Sequence, residues 1–342
     1  MSGDKETAPQ FPDVVVSGLR ATGHLHLGNY FGAIRQFVAA QEKYPCYFFI
    51  ADYHTLTTHP NPENLAETTE ALVAEYLACG IDPDKATLYV QSGVPEVTEL
   101  YLFFNMNAYL GELERVASFK EKVRKQPDNV NAGLLTYPVL MAADILIHKG
   151  TLVPVGKDQE QHLEMTRNFA ARFNRIYRKN IFPLPQPLTP EGELIKIPGL
   201  DGSGKMGKSE GAGNAIFLVD SPKVIRKKVM RAVTDSGPTE PDQPMSPGVA
   251  NLFTLLKYFS TPDTYAHFRE AYRQCTIRYG ELKKQLAEDI IETVRPIQER
   301  IEEYRSDRAL LRRIIRQGNE KARESARRTV QQAREAIGIR DF

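Results

Sequence analysis

Ser17-Gly18-Leu19-Arg20-Ala21-Thr22-Gly23-His24-Leu25-His26-Leu27-Gly28-Asn29-Tyr30 follows the apolar run Asp13-Val14-Val15-Val16 and opens a helical pattern from about Leu27 to Gln41. A strand leaving through a glycine-bearing turn straight into a helix is the first unit of a strand-helix-strand fold. Such a turn lets backbone N–H groups approach an anionic ligand. Its glycines fit neither GxGxxG nor the P-loop spacing, which disfavours a dinucleotide fold and a P-loop NTPase. Alone, the turn reads equally as an anion site or as a structural turn. His24 and His26 lack a third ligand at helical spacing, and no metal site is expected.

Outward from this turn the rhythm continues. Cys46–Ala51 reads as a strand, Glu63–Cys79 as a helix behind the start signal Asn61-Pro62, and Ala86–Gln91 as a strand. The alternation predicts an α/β fold with a doubly wound parallel sheet. From Glu96 to Arg124 the pattern is helical without an intervening strand, as in an insertion near 96–130. A helix over Asn131–Ile147 and a strand over Thr151–Val155 follow. Prolines crowd Phe182–Pro190, and a glycine-rich loop at 202–213 precedes a last short strand, Ala215–Val219. From Ser221 the segments Lys223–Val233, Val249–Phe259, Tyr265–Gln274 and Gly280–Ala336 read as helices. The chain therefore divides into an α/β domain, 1–220, and an all-helical domain, 221–342.

Composition is that of a globular protein: 342 residues, 42% hydrophobic, 25% charged, net charge +1. Disordered and fibrous classes are excluded. No apolar run approaches the roughly 18 residues of a membrane span, and MSGDKETAPQFPD lacks the order of a secretory leader. A cytoplasmic protein is expected. Cys46, Cys79 and Cys275 stand far apart without a CxxC, so buried free thiols are expected rather than disulfides. From Arg305 to Asp341, eleven Lys or Arg face five Asp or Glu. That excess suits a phosphate backbone, or equally a solvated helix face with paired charges.

A second signal is Lys205-Met206-Gly207-Lys208-Ser209. Two lysines three apart on a flexible loop can close on a polyphosphate and deliver charge where it develops during reaction. His26-Leu27-Gly28-Asn29 and this loop together resemble the HIGH and KMSKS signatures of class I aminoacyl-tRNA synthetases, in the expected order. Gly111-Glu112-Leu113-Glu114-Arg115, Phe119–Lys122, Leu134–Leu146 and Val153–His162 narrow the similarity to the tryptophanyl-tRNA synthetases of the bacterial type, over Ser17 to about Gly338.

The resemblance implies a Rossmann-like catalytic domain and an anticodon-binding helical domain. It implies an ATP site at Arg20, Ala21, Thr22, His26, Gly28 and Asn29, with Gly156, Lys157 and Asp158 at the ribose. Lys205, Met206, Gly207, Lys208 and Ser209 close over the phosphates, and Lys122 approaches the pyrophosphate. His26, Asn29, Lys122, Lys205 and Lys208 carry the catalytic roles. Tyr137 and Gln159 hold the amino group of tryptophan, while Asp144 accepts the indole N–H, a donor-only group matched to an acceptor-only carboxylate. Met141, Val153, Val155 and His54 line the ring pocket. ATP with Mg²⁺ as substrate, tRNA(Trp) as partner and a homodimer through the inserted helices are implied, without an iron-sulfur cluster or zinc.

Three departures accompany the match. Arg20-Ala21 stands where many members have Gln-Pro, Tyr53 where many have Gln, and Gly207 where Ser is usual. Tyrosine-specific relatives share both signatures, but Met141-Ala142-Ala143-Asp144 lacks the polar Gln typical of them and suits indole. A paralogue that binds RNA without charging it is the other alternative.

Overall fold

A computed structural model describes residues 11–125, 127–156, 159–188, 195–207 and 213–340. The described strands form one parallel five-stranded sheet in the order β3-β2-β1-β4-β5. They are β1 (Val15–Arg20), β2 (Cys46–Ala51), β3 (Ala86–Val90), β4 (Leu152–Val153) and β5 (Gln186–Pro187). β1 and β2 run in full register from Val15↔Cys46 to Arg20↔Ala51. Their apolar runs are buried on both faces, as strands covered by helices must be.

After β1, the chain forms α1 (Leu27–Asn29), a π-helical turn (Tyr30–Ile34) and α2 (Arg35–Ala40). The predicted continuous helix over 27–41 is thus interrupted by a π turn, a feature frequent at functional sites. α3 (Asp52–Thr55) and α4 (Pro62–Ala78) connect β2 to β3. Asn61 caps α4 by accepting from Glu63 N at 2.9 Å, and Pro62 occupies a first-turn position where its missing N–H costs nothing.

Between β3 and β4 lie α5 (Glu96–Asn107), α6 (Leu110–Glu114), α7 (Ala117–Lys125) and α8 (Ala132–Leu146). α9 (Glu160–Tyr177) joins β4 to β5. The strand expected over 151–155 shortens to two residues. β5 arises from the proline-rich stretch read as irregular, because Gln186 N and Leu188 N still donate to Thr151 O and Val153 O at 2.8 Å each. The strand expected over Ala215–Val219 is instead an antiparallel bridge between His26 and Phe217.

The remaining helices are α10 (Pro222–Met230), α11 (Pro247–Phe259), α12 (Pro262–Arg273), α13 (Tyr279–Ser306) and α14 (Arg308–Ile337). Proline stands in the first turn of α10, α11 and α12 behind Ser221, Ser246 and Thr261. The long helical pattern over 280–336 breaks at Asp307, whose side chain caps α14 by accepting from Leu310 N at 2.8 Å. α14 then runs back onto the sheet. A Cβ on Gly318 would lie 1.7 Å from the Leu88 carbonyl oxygen, so only glycine permits this approach. Asn319 Oδ1 accepts from Val90 N at 3.0 Å, which covers the edge strand β3. Among the described residues no helix is long and apolar enough to cross a membrane.

Candidate active site

In an open parallel sheet, ligands enter at the carboxyl ends of the strands, where the strand order reverses. Here the reversal lies between β1 and β4. β1 ends at Arg20, β2 leads into His54, β3 into Gln91, and β4 into Val155 and Gly156. Asp52 ties two of these ends together, accepting at Oδ1 from Tyr53 N and Ser92 N at 3.0 Å each.

His26 caps α1. Its Nδ1 accepts from Asn29 N, and its own N–H donates to Asn29 Oδ1, both at 3.2 Å. This reciprocal cap fixes the ring, which is buried and lies edge-on to Phe217. Leu27 N donates to Ile216 O at 2.9 Å and Leu218 N to Leu25 O at 2.8 Å. The turn after β1 is therefore stitched to the segment that follows the lysine-bearing loop. Met206 is fully buried, donating from its N–H to Ile197 O at 2.8 Å. A Cβ on Gly28 would meet the His26 ring at 2.9 Å and the Met206 carbonyl oxygen at 3.1 Å. The two signatures thus touch, with Lys205 exposed beside the contact.

A second cluster gathers two cations. The Arg20 guanidinium donates from Nη2 to Thr57 Oγ1 at 3.3 Å, while its buried Nε has no hydrogen-bond partner among the described residues. Lys122 Nζ stands 3.4 Å from the centroid of the Tyr137 ring. Burial, and next the Arg20 charge, lower the Lys122 ammonium to about 8. A buried N–H without an acceptor and a destabilised ammonium both call for an anion. The Tyr137 hydroxyl lies 2.5 Å from His162 Nε2 and also contacts Ser118 Oγ; His162 Nδ1 reaches Gln159 Oε1 at 2.9 Å. Tyr137 and Gln159 are thereby held in one network, with burial pushing the Tyr137 phenol up.

At the third cluster Asp144 is 2% exposed on α8. Its Oδ2 lies 2.8 Å from His54 Nε2, and its Oδ1 accepts from Gln91 Nε2 at 2.7 Å. Burial pushes this carboxyl up, and the contacts with His54 and Gln91 oppose the shift. Each oxygen keeps a free lone pair for a further donor. Met141 and Val155 pack half-buried against Ile145, Val153 and Leu163, giving an apolar wall that includes the residue three before Asp144.

The family "tRNA synthetases class I (W and Y)" matches residues 10–295 of this chain. A tryptophan–tRNA ligase from Porphyromonas gingivalis (strain ATCC BAA-308 / W83) is 61% identical over 328 residues, spanning 96% of this chain and all of that protein. The chain belongs to the tryptophan and tyrosine branch of the class I tRNA synthetases. A crystal structure of tryptophanyl-tRNA synthetase from Campylobacter jejuni, complexed with ADP and tryptophan, superposes on this synthetase with a TM-score of 0.84. It is 37% identical and covers 95% of this chain and 99% of its own. The Mycoplasma pneumoniae tryptophanyl-tRNA synthetase is 32% identical with a TM-score of 0.81, over 96% and 98% of the two chains.

In this synthetase His26, Gly28 and Asn29 meet near Met206, Arg20 shares the second cluster with Lys122 and Tyr137, Tyr137 joins Gln159 through His162, and His54 meets Asp144. Ala21 is buried and Thr22 exposed in the turn, and Gly156 accepts from Gln159 N at 2.9 Å. Gly207 is half-buried behind Met206. Lys157, Asp158, Lys208 and Ser209 lie outside the described residues. Sequence reasoning missed Gln91, Ser118 and His162. Gln91 closes the otherwise apolar run Leu88-Tyr89-Val90, a visible signal, whereas Ser118 sits in a polar helix and His162 ends the stretch Val153–His162, whose resemblance assigns it no role.

Lys122 gives a pH prediction. Its ammonium is charged below about 8 and neutral above. If it meets the phosphates, kcat/KM for ATP falls as pH rises through that value, and Lys122→Gln flattens the profile. A profile unchanged by Lys122→Gln removes the residue from the phosphate site.

Proposed function

We propose that this synthetase activates L-tryptophan with ATP and passes the adenylate to the 3′-terminal ribose of tRNA(Trp). The tryptophan carboxylate attacks the α-phosphate of ATP, pyrophosphate leaves, and the ribose hydroxyl then displaces AMP. The observation that carries the reading is the buried Asp144 carboxylate beside an apolar wall, an acceptor-only group suited to an indole N–H. Met141, Val153 and Val155 face the ring, and His54 holds Asp144 in place. Tyr137 and Gln159, joined through His162, meet the ammonium of the amino acid.

Arg20 and Lys122 receive the phosphates, which supply the acceptor that Arg20 Nε lacks. Ala21, Thr22, Gly28 and Asn29 give the nucleotide a close backbone approach. Gly156, Lys157 and Asp158 border the ribose, and Lys205, Met206, Gly207, Lys208 and Ser209 close the loop. Mg²⁺ enters with ATP as the counter-ion of its phosphates. No side chain acts as a covalent nucleophile. Rate comes from alignment and from charge stabilisation by His26, Lys205 and Lys208.

Exposed Arg305, Arg312, Arg313 and Arg316 around the joint of α13 and α14 fit the anticodon arm of tRNA. Other cations of the basic tail are already spent: Arg323 and Arg327 pair with Glu96 at 3.1 and 3.0 Å, and Arg334 with Glu99 at 2.6 Å. The work is that of a cytoplasmic enzyme.

A homodimer through α5 and α6 fits the exposed Leu102, Met106 and Leu110, of which Met106 is 77% accessible. Met106→Asp should shift the sedimenting species from dimer to monomer; a variant that stays dimeric places the interface elsewhere.

The function is tested by exchange of labelled pyrophosphate into ATP with each of the twenty amino acids, without tRNA. Exchange with tryptophan is expected. Exchange driven by tyrosine instead refutes the assignment of the pocket.

A further inference from the structure

We infer that Glu75 is a positioning residue for adenylation, holding the backbone at His24-Leu25 so that His26 stands correctly over the phosphates. This deepens the proposed function and rests on it. Glu75 is the single acid in the apolar run Ala71-Leu72-Val73-Ala74-Glu75-Tyr76-Leu77-Ala78, and it is 1% exposed on α4. A carboxylate buried among such neighbours is costly unless its oxygens are fully engaged. Here both oxygens are engaged with one short stretch of chain. Oε2 accepts from the Leu25 N–H at 2.7 Å, and Oε1 lies 2.5 Å from His24 Nδ1.

That stretch is the segment immediately before His26. Leu25 is itself buried, so its N–H must find an acceptor within the protein. Its carbonyl accepts from Leu218 N at 2.8 Å, and Leu27 N donates to Ile216 O. The turn is therefore gripped from one side by the 216–218 segment and from the other by Glu75. The backbone of residues 24 and 25 links α4 to the position of His26. His24 keeps 43% of its side chain exposed, so a buried carboxylate and a partly solvated imidazole form one pair across the turn. Neither residue need touch substrate for this role.

Misplacing a catalytic group by about 1 Å costs on the order of 10²-fold in rate. The test uses the full chain with Glu75→Leu, which fills the site and removes both acceptors, and Glu75→Gln, which keeps one acceptor for Leu25 N–H. Pyrophosphate exchange is read as separate kcat and KM values. Glu75→Leu should lower kcat by about 10- to 100-fold with the KM for tryptophan changed less than about twofold, and Glu75→Gln should recover part of the loss. If Glu75→Leu does not fold, Glu75→Gln decides by the same split. Unchanged kcat in the folded variants overturns the role, as does a parallel loss of kcat and tryptophan affinity. Exchange by the unsubstituted chain is the control: its absence refutes the function itself, and this role with it.

Discussion

Lys205→Ala is expected to slow tryptophan adenylation by about 10²- to 10³-fold, the scale of removing one preorganised charge donor from a developing oxyanion. Tryptophan binding should change less than about twofold. Met206 is locked into the core and its carbonyl faces Gly28, so the exposed Lys205 stands next in the chain to the contact with the His26 turn. Loss of its charge leaves the amino-acid pocket intact. The chain contains no tryptophan of its own, so intrinsic fluorescence reports the bound amino acid against a tyrosine background. Equal losses in rate and tryptophan affinity would contradict a role confined to the transition state.

Asp144→Asn should lower kcat/KM for tryptophan by about 10²-fold or more and narrow discrimination against tyrosine and phenylalanine. A site built around one buried polar contact rejects an analogue lacking the matching group by up to about 10⁴–10⁵. The carboxylate meets His54 on one oxygen and Gln91 on the other, and accepts from both when His54 carries its proton on Nε2. Asparagine replaces one acceptor with a donor. Either a neighbour faces N–H against N–H, or the amide presents its donor to the indole. Unchanged discrimination would remove Asp144 from the pocket.

Much of this arrangement is legible in the sequence, for identifiable reasons. β2 spans the predicted residues, because an apolar run between polar turns has one sensible reading. The helix start at Asn61 follows from a capping side chain ahead of proline, and the same pattern at Ser221 and Thr261 starts α10 and α12 ahead of the expected Lys223 and Tyr265. β5 was hidden because proline density argues against a strand, yet an edge position tolerates it. The return of α14 onto β3 was hidden for a different reason. Gly318 is a poor helix former while Ala322 and Ala326 are good ones, so helix propensity gives no hint of the packing, and the approach of the Leu88 carbonyl explains why the first must be small.

The site shows the same division. His26 and Asn29 stand out because a short motif binds them to one turn, and Asp144 because it interrupts an apolar helix. Glu75 carries the same mark as Asp144, one acid in an apolar run, without a family signature beside it. His162 and Ser118 depend on a meeting of α7, α8 and α9 that no local pattern announces.

Charging of tRNA(Trp) with labelled tryptophan, in competition with unlabelled tyrosine, tests the whole account in one assay. A tryptophan ester that accumulates and resists competition by tyrosine is predicted. Charging with tyrosine, or adenylation that never reaches the tRNA, would contradict it.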